Sequence, residues 1–358
     1  MITVYSDSSL LDREWLPKIC FPAPYQVSNS LEDFCASTSD HHIAFTAHRL
    51  HLENDADIRF EDKVHKLREK SQLVFCLESE LHNFHWSIWA YCRGPNVYWL
   101  QPGTVNDKED MKQHILPWQD WFKTTADLYK RLPDVLARLN PYDVKPRSFD
   151  ALLGSPKPHR NFVADAINEH GLQQRFIMTY GGRWDHKSFY ALDYFIWEPG
   201  TEIIDPVIGT CDWVRYQGYQ CHLSQIIPID VYNQTAYSIL AETDADNSLS
   251  FFSEKTAKCF IGRRLFVAFT GYRFLQNLRD LGFQTFGSVI DESYDEIFNS
   301  RQRYRAAFHQ VKNLCEMDQR TILDKIRPIL EHNHNHIMNT DWNDFAIQRV
   351  NGLIKKII

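Results

Sequence analysis

Short apolar runs alternate with charged segments of helical period along most of the chain. Ile2-Thr3-Val4-Tyr5 has the pattern of a first strand, Ile43-Ala44-Phe45-Thr46 of a second, and Gln72-Leu73-Val74-Phe75-Cys76-Leu77 of a buried third. Residues 62–71 carry the charge density of a surface helix, residues 81–91 read as a loop or an aromatic helix, and Asn96-Val97-Tyr98-Trp99-Leu100 predicts another strand. A polar stretch with two prolines, residues 139–147 (LNPYDVKPR), interrupts the pattern. The alternation then restarts. Ser148-Phe149-Asp150-Ala151-Leu152-Leu153 predicts a strand, residues 161–170 a helix, and Arg175-Phe176-Ile177-Met178-Thr179-Tyr180 a strand. Further on, the run 236–241, the polar loop 244–250, the amphipathic segment 254–264 and the run 265–269 spell strand, loop, helix, strand. Residues 291–358 are mostly helical and charged. Strands alternating with helices predict an α/β fold with parallel sheet. The expected division is an N-terminal domain over 1–147, a second over 148–330, and a last helix within 331–358 that crosses back to the first.

Length and composition agree with that division. The chain has 358 residues, 44% of them hydrophobic, enough for one large domain or two of roughly 150 residues each. Aromatic residues reach 14%, which suits a well-packed core with rings left over for stacking on a ligand. Glycine is scarce, at 14 residues, and neither GxGxxG nor GxxxxGK[ST] occurs, so a glycine-rich phosphate loop is excluded. The formal net charge of −7 argues against a protein held to nucleic acid by its overall field. The N-terminus lacks the basic start and apolar run of a secretion signal, and no apolar run reaches the roughly 20 residues needed to span a bilayer. The 8 cysteines are scattered without a CxxC pair. Reduced thiols in a cytoplasmic protein without membrane contact are the expectation.

Candidate chemistry gathers at strand ends. Ser253 caps the helix that opens with Glu254-Lys255-Thr256, and a helix N-terminus offers unpaired N–H groups and partial positive charge to a phosphate. Capping and dipole complementation account for Ser253 and Glu254 without a ligand. They do not account for Lys255, because a cation in the first turn is unfavourable unless an anion is near. Glu242 ends the preceding strand. Lys157 and Arg160 lie in the strand-to-helix loop after 148–153, where open α/β sheets bind ligands and where arginine grips phosphate as a fork. Glu78, Glu80, His82 and His85 crowd the end of the third strand and are candidates for a general base. Asp55-Ala56-Asp57 and Asp244-Ala245-Asp246 match a DxD form that holds a divalent ion on a sugar nucleotide, but three-residue matches arise by chance in an acidic chain. His332, His334 and His336 fall at a spacing that a single helix face does not gather.

The run Ser253-Glu254-Lys255-Thr256 with Arg264-Leu265-Phe266-Val267 resembles the donor-binding segment of GT-B glycosyltransferases, and fucosyltransferases carry a similar T-E-K element. Leu278-Arg279-Asp280-Leu281-Gly282-Phe283-Gln284-Thr285-Phe286, Asp291-Glu292-Ser293-Tyr294-Asp295, and Phe149 to Gly154 with Lys157-Pro158-His159-Arg160 are similar to glycosyltransferase-like proteins of tailed phages. The resemblance covers roughly residues 148–315. It implies two Rossmann-like domains facing a cleft, a nucleotide diphosphate sugar as donor, and a hexosyl or pentosyl group moved to an acceptor hydroxyl. Donor contacts carried over are Lys157, Arg160, Glu242, Ser253, Glu254, Lys255 and Thr256. The diphosphate would be held by the helix N-terminus and basic side chains, with no metal or other cofactor. A phage origin adds one specific acceptor, double-stranded DNA carrying hydroxymethylated bases such as 5-hydroxymethylcytosine, modified in the host cytoplasm. Glycan or small-molecule acceptors, a non-catalytic nucleotide-sugar-binding protein on the same fold, and a metal-dependent GT-A enzyme using Asp244 and Asp246 are the competing expectations.

Overall fold

Two parallel sheets carry the fold, each in its own unit. The computed structural model describes residues 1–7, 11–48, 59–78, 92–106, 112–180, 198–205 and 213–358. One unit comprises Met1–Asp120 with Asp341–Ile358, the other Trp121–Thr340.

In the first unit, strands β1 (Ile2–Ser6), β2 (Tyr25–Ser28), β3 (His41–His48), β4 (Leu73–Glu78), β5 (Val97–Gln101) and β6 (Ile115–Pro117) form a parallel sheet of order β2-β1-β3-β4-β5-β6. β1 and β5 are buried along their whole length, as parallel strands covered on both faces are, and this produced the unbroken apolar runs of the sequence. Helices α1 (Leu31–Ala36) and α2 (Phe60–Lys70) return the chain between strands. The C-terminal helix Trp342–Ile357 lays Ala346, Ile347, Val350 and Ile354 into the same core as Val4, Phe45, Phe75 and Leu100. Its start is fixed by Lys18, which bridges Asp341 and Asp344, and by Trp118, whose Nε1–H donates to Asn343.

In the second unit, β7 (Arg147–Leu152), β8 (Phe176–Thr179), β12 (Thr235–Leu240) and β13 (Leu265–Ala268) form a parallel sheet of order β13-β12-β7-β8. Between β8 and β12, β9 (Thr201–Asp205), β10 (Trp213–Tyr216) and β11 (Tyr219–His222) make a separate antiparallel sheet. The described α-helices longer than four residues are α3 (Asp120–Lys130), α4 (Pro158–Glu169), α5 (Ile229–Gln234), α6 (Glu254–Ile261), α7 (Phe274–Asp280), α8 (Ser300–Glu316) and α9 (Gln319–Asn339). Both units are thus Rossmann-like α/β layers with parallel sheets. Among the described residues, no helix is long and apolar enough to cross a membrane.

The division falls after Asp120, not in the polar stretch 139–147. The reason is α3. Its Phe122 packs on Phe252, Phe260 and Phe283, so the chain joins the second core one helix before the polar stretch. Residues 331–340 likewise stay with the second unit as the end of α9, whose Ile337 is buried there.

A single guanidinium ties the second sheet together. Arg264, just before β13, donates from Nη2 to Asp150 at 2.7 Å, to Thr235 Oγ1 at 2.8 Å and to the Tyr237 carbonyl at 2.7 Å. Its Nε reaches Ser238 Oγ at 3.1 Å, its Nη1 the Tyr232 carbonyl at 3.1 Å, and its face covers the Tyr232 ring. β7 and β12 are thereby joined from beneath by a side chain at the root of β13. Removing one partner of a buried, hydrogen-bonded ion pair leaves an uncompensated charge, at about 3–5 kcal/mol. Asp150→Ala is therefore expected to lower the unfolding free energy by that amount, seen as a lower urea midpoint at similar m, and an unchanged midpoint would show that the pair does not hold the sheet.

Candidate functional site

The strand order of the second unit reverses between β7 and β12: the chain passes from β7 to β8 on one side and returns to β12 on the other. Ligands of open α/β sheets bind at such a reversal, outside the carboxyl ends of the strands. The loop after β7 (residues 153–157) and the loop after β12 (residues 241–253) meet at this point. Gly154, at φ +53, turns the chain off β7 in a left-handed conformation that other residues adopt only with strain. Pro158 opens α4 at the first helical position, where the missing N–H costs nothing.

Glu242 braces the two loops and is fully buried. Its carboxylate accepts from the Thr243 N–H at 2.9 Å, the Ser253 N–H at 3.0 Å, and the hydroxyls of Ser253 and Thr256. Four donors saturate it, and they lock the end of β12 to the start of α6. Ser253 in turn accepts from the Lys255 N–H as the helix cap. The carbonyl of Glu242 is held from the other side: Arg160 Nη2 donates to it at 3.1 Å and Nη1 to the Ser155 carbonyl at 3.0 Å. His159 Nε2 lies 2.8 Å from the same carbonyl; since a carbonyl only accepts, the proton is on Nε2. Burial, reinforced by the Arg160 charge, pushes the His159 pKa down to about 3, so the ring is neutral.

Two ammonium groups converge on Thr243. Lys157 Nζ donates to its carbonyl, and Lys255 Nζ reaches its hydroxyl at 3.0 Å while pairing with Glu254 at 2.7 Å. Burial, then the neighbouring Arg160 charge, lowers the pKa of Lys157. Burial opposes the charge of Glu254, but Lys255 and Lys258 outweigh it and hold its carboxyl below the usual range. Lys258, one turn further along α6, donates to the Ser224 carbonyl, and burial brings its pKa down to about 8 against the attraction of Glu254. The outer rim of the site is therefore cationic and partly exposed, formed by Lys157 and Lys255. The inner layer of Glu242, Ser253, Thr256, Arg160 and His159 is buried.

This arrangement divides the residues singled out in the sequence. Lys157, Arg160, Glu242, Ser253, Glu254, Lys255 and Thr256 all come to one place, but only the two lysines are partly exposed; the others are buried and build the seat. Thr243, on which both lysines converge, carries no pattern in the sequence. Asp244 and Asp246 accept from N–H groups two residues further on, those of Asp246 and Ser248, and shape their own loop. In α9, His332, His334 and His336 meet the carbonyls of Gly282, Ile261 and Leu281, stitching the helix to neighbouring turns. Glu78 ends β4, whereas Glu80, His82, His85, Asp55 and Asp57 lie outside the described residues. The first unit has its own reversal, between β1 and β3, and there Asp7 accepts from Thr46 Oγ1, the Ala47 N–H and Lys63 Nζ. Compared with family models, curated proteins and solved structures, the chain has no match.

The neutral His159 makes a pH prediction. Its folded pKa, about 3, lies below the ordinary value of 6.5, so unfolding takes up a proton between those limits. Stability falls as pH drops through that window, by at most about 1.4 kcal/mol per unit from this group. His159→Gln keeps an N–H donor without a titrating ring. Urea midpoints of the variant are expected to depend less steeply on pH between 6.5 and 3; an identical slope would contradict the assignment.

Proposed function

We propose that the chain is a glycosyltransferase of the GT-B kind, taking a sugar from a nucleoside diphosphate donor and passing it to an acceptor hydroxyl. The observation that carries the reading is the convergence of Lys157 and Lys255 on Thr243, at the strand-order reversal and the N-terminus of α6. Glu254 offsets the charge of Lys255, which leaves one net positive charge between the two ammonium groups; a diphosphate would complement it at the helix N-terminus. In the reaction, the bond from the anomeric carbon to the diphosphate oxygen breaks and a bond to the acceptor oxygen forms. The acceptor proton leaves with a base, and the nucleoside diphosphate departs with the electron pair. Lys157 and Lys255 would neutralise the charge growing on that leaving group, which is where fixed cations lower a barrier most. The seat formed by Glu242, Arg160 and His159 would keep them in place without reorganisation. The reading gives a metal no role, because the lysines supply the charge.

The test is a thermal-shift panel of nucleoside diphosphates and their sugars, with and without EDTA. A ligand that binds only the native state raises Tm by mass action. We expect a selective, EDTA-insensitive shift for one nucleotide base, abolished in Lys157→Ala/Lys255→Ala with the unliganded Tm little changed. Transfer from that donor to duplex DNA containing 5-hydroxymethylcytosine, assayed beside glycan acceptors, then identifies the acceptor class. Single substitution Lys255→Ala should cut turnover tenfold or more, in line with the removal of one transition-state charge contact. Wild-type turnover in that variant would remove the phosphate assignment, and binding without transfer to any acceptor would favour a nucleotide-sugar-binding protein.

A further inference from the structure

At the carboxyl end of β13, next to the phosphate seat, aromatic surface is held out in the open. Phe298 is 59% exposed. Its ring meets Tyr272 edge-on at 5.4 Å between centroids, and the Arg273 guanidinium lies 5.3 Å from the Tyr272 ring centre. Exposed phenylalanine rings are usually free to move, but the backbone beneath this one is pinned. Asn247 Nδ2 donates to the Phe298 carbonyl at 2.6 Å, and Arg303 Nη1 donates to the carbonyls of Ile297 and Phe298. Asn247 also accepts from the Tyr272 N–H at 3.2 Å and from Arg303 at 2.8 Å. Arg273 holds φ +59, a left-handed conformation that costs a non-glycine residue about 1–2 kcal/mol and that clusters at ligand sites. Glu296 is fixed beside it, its carboxylate 3.3 Å from Arg273 Nε.

Topology gives this patch its meaning. β12, α6 and β13 form a strand–helix–strand unit of adjacent parallel strands, with Leu240 paired to Ala268. In mononucleotide-binding units of this type the phosphates sit at the helix N-terminus, and an acid further along the chain meets the ribose; here the turn Glu292–Glu296, beyond β13, brings Glu296 to Arg273. The loops concerned are in direct contact: a Cβ added to Gly271 would fall 2.2 Å from the Asp246 carbonyl oxygen. The loop that begins at Thr243, with the two lysines, thus reaches the aromatic pair within four residues, at Asn247.

We infer that Tyr272, Arg273, Glu296 and Phe298 form the nucleoside subsite, the base stacking on the Phe298 ring and Glu296 accepting from the ribose hydroxyls. The inference rests on the phosphate reading of Lys157 and Lys255 and adds the group that distinguishes a nucleotide from a bare diphosphate. Calorimetric titration of wild-type protein, Phe298→Ala and Phe298→Trp with UDP, GDP, ADP and inorganic pyrophosphate tests it. Wild type is expected to bind at least one nucleoside diphosphate tenfold or more tighter than pyrophosphate, the scale of one base–aromatic stack. Phe298→Ala should lose that advantage and keep the pyrophosphate affinity, while Phe298→Trp should retain both. Pyrophosphate binding with no nucleoside advantage, or an advantage untouched in Phe298→Ala, overturns the subsite and leaves the phosphate seat standing. No binding of either class by wild type overturns both.

Discussion

The buried pair of Arg264 and Asp150 is the constraint on which the second unit depends. Both groups are almost inaccessible to water, and burial alone raises the Asp150 pKa. Taking two charges out of water costs several kcal/mol per ion, and such a pair persists only with good geometry and with its remaining hydrogen-bonding capacity filled. Here the guanidinium spends its donors on β7, on β12 and on the segment leading into β12. A slip of any one strand would strand a buried charge. The pair therefore fixes where the carboxyl ends of these strands lie relative to one another, beyond what apolar packing of interchangeable side chains would specify.

From that fixed frame the candidate site follows in steps. The end of β12 delivers Glu242, the first turn of α4 delivers His159 and Arg160, and the start of α6 delivers Ser253 and Thr256. The hydrogen bonds of Glu242 close these pieces into one seat. Only then do the flexible stems of Lys157 and Lys255 have a common target in Thr243. Two layers result, a buried one inside, hydrogen-bonded throughout except at Arg160 Nε, and a partly exposed one that carries the two lysines. That division is the physical basis for reading the outer layer as the binding surface and the inner layer as its support.

Much of the fold was legible in the sequence because its strands are buried on both faces, which leaves continuous apolar runs such as those of β4, β12 and β13. β6 was not legible because three residues are too short a run, and other elements that were not legible lack that signature. β2 is exposed along its length, and the antiparallel sheet of β9 to β11 mixes exposed Ile203, Trp213 and Tyr219 with polar neighbours. The unit boundary was misplaced because a polar, proline-bearing stretch looks like a linker, whereas the anchoring of Phe122 is a long-range packing fact. At the site, charge at strand ends pointed to loops that the fold brings together, but not to the contacts they make. Glu242 reads from sequence as a ligand contact, and only its full set of four donors shows a brace. Thr243 is a lone hydroxyl with no pattern around it. Tyr272 and Phe298 are indistinguishable from core aromatics until their exposure is known.

Lys157 and Lys255 are proposed to face a diphosphate at the reversal between β7 and β12. The most direct measurement is a crystal structure of the protein soaked with the nucleoside diphosphate that stabilises it best. The account predicts density for the two phosphates within hydrogen-bonding distance of both lysine Nζ atoms, outside the mouth of α6. Well-ordered nucleotide bound elsewhere, with both lysines still resting on Thr243, would contradict it.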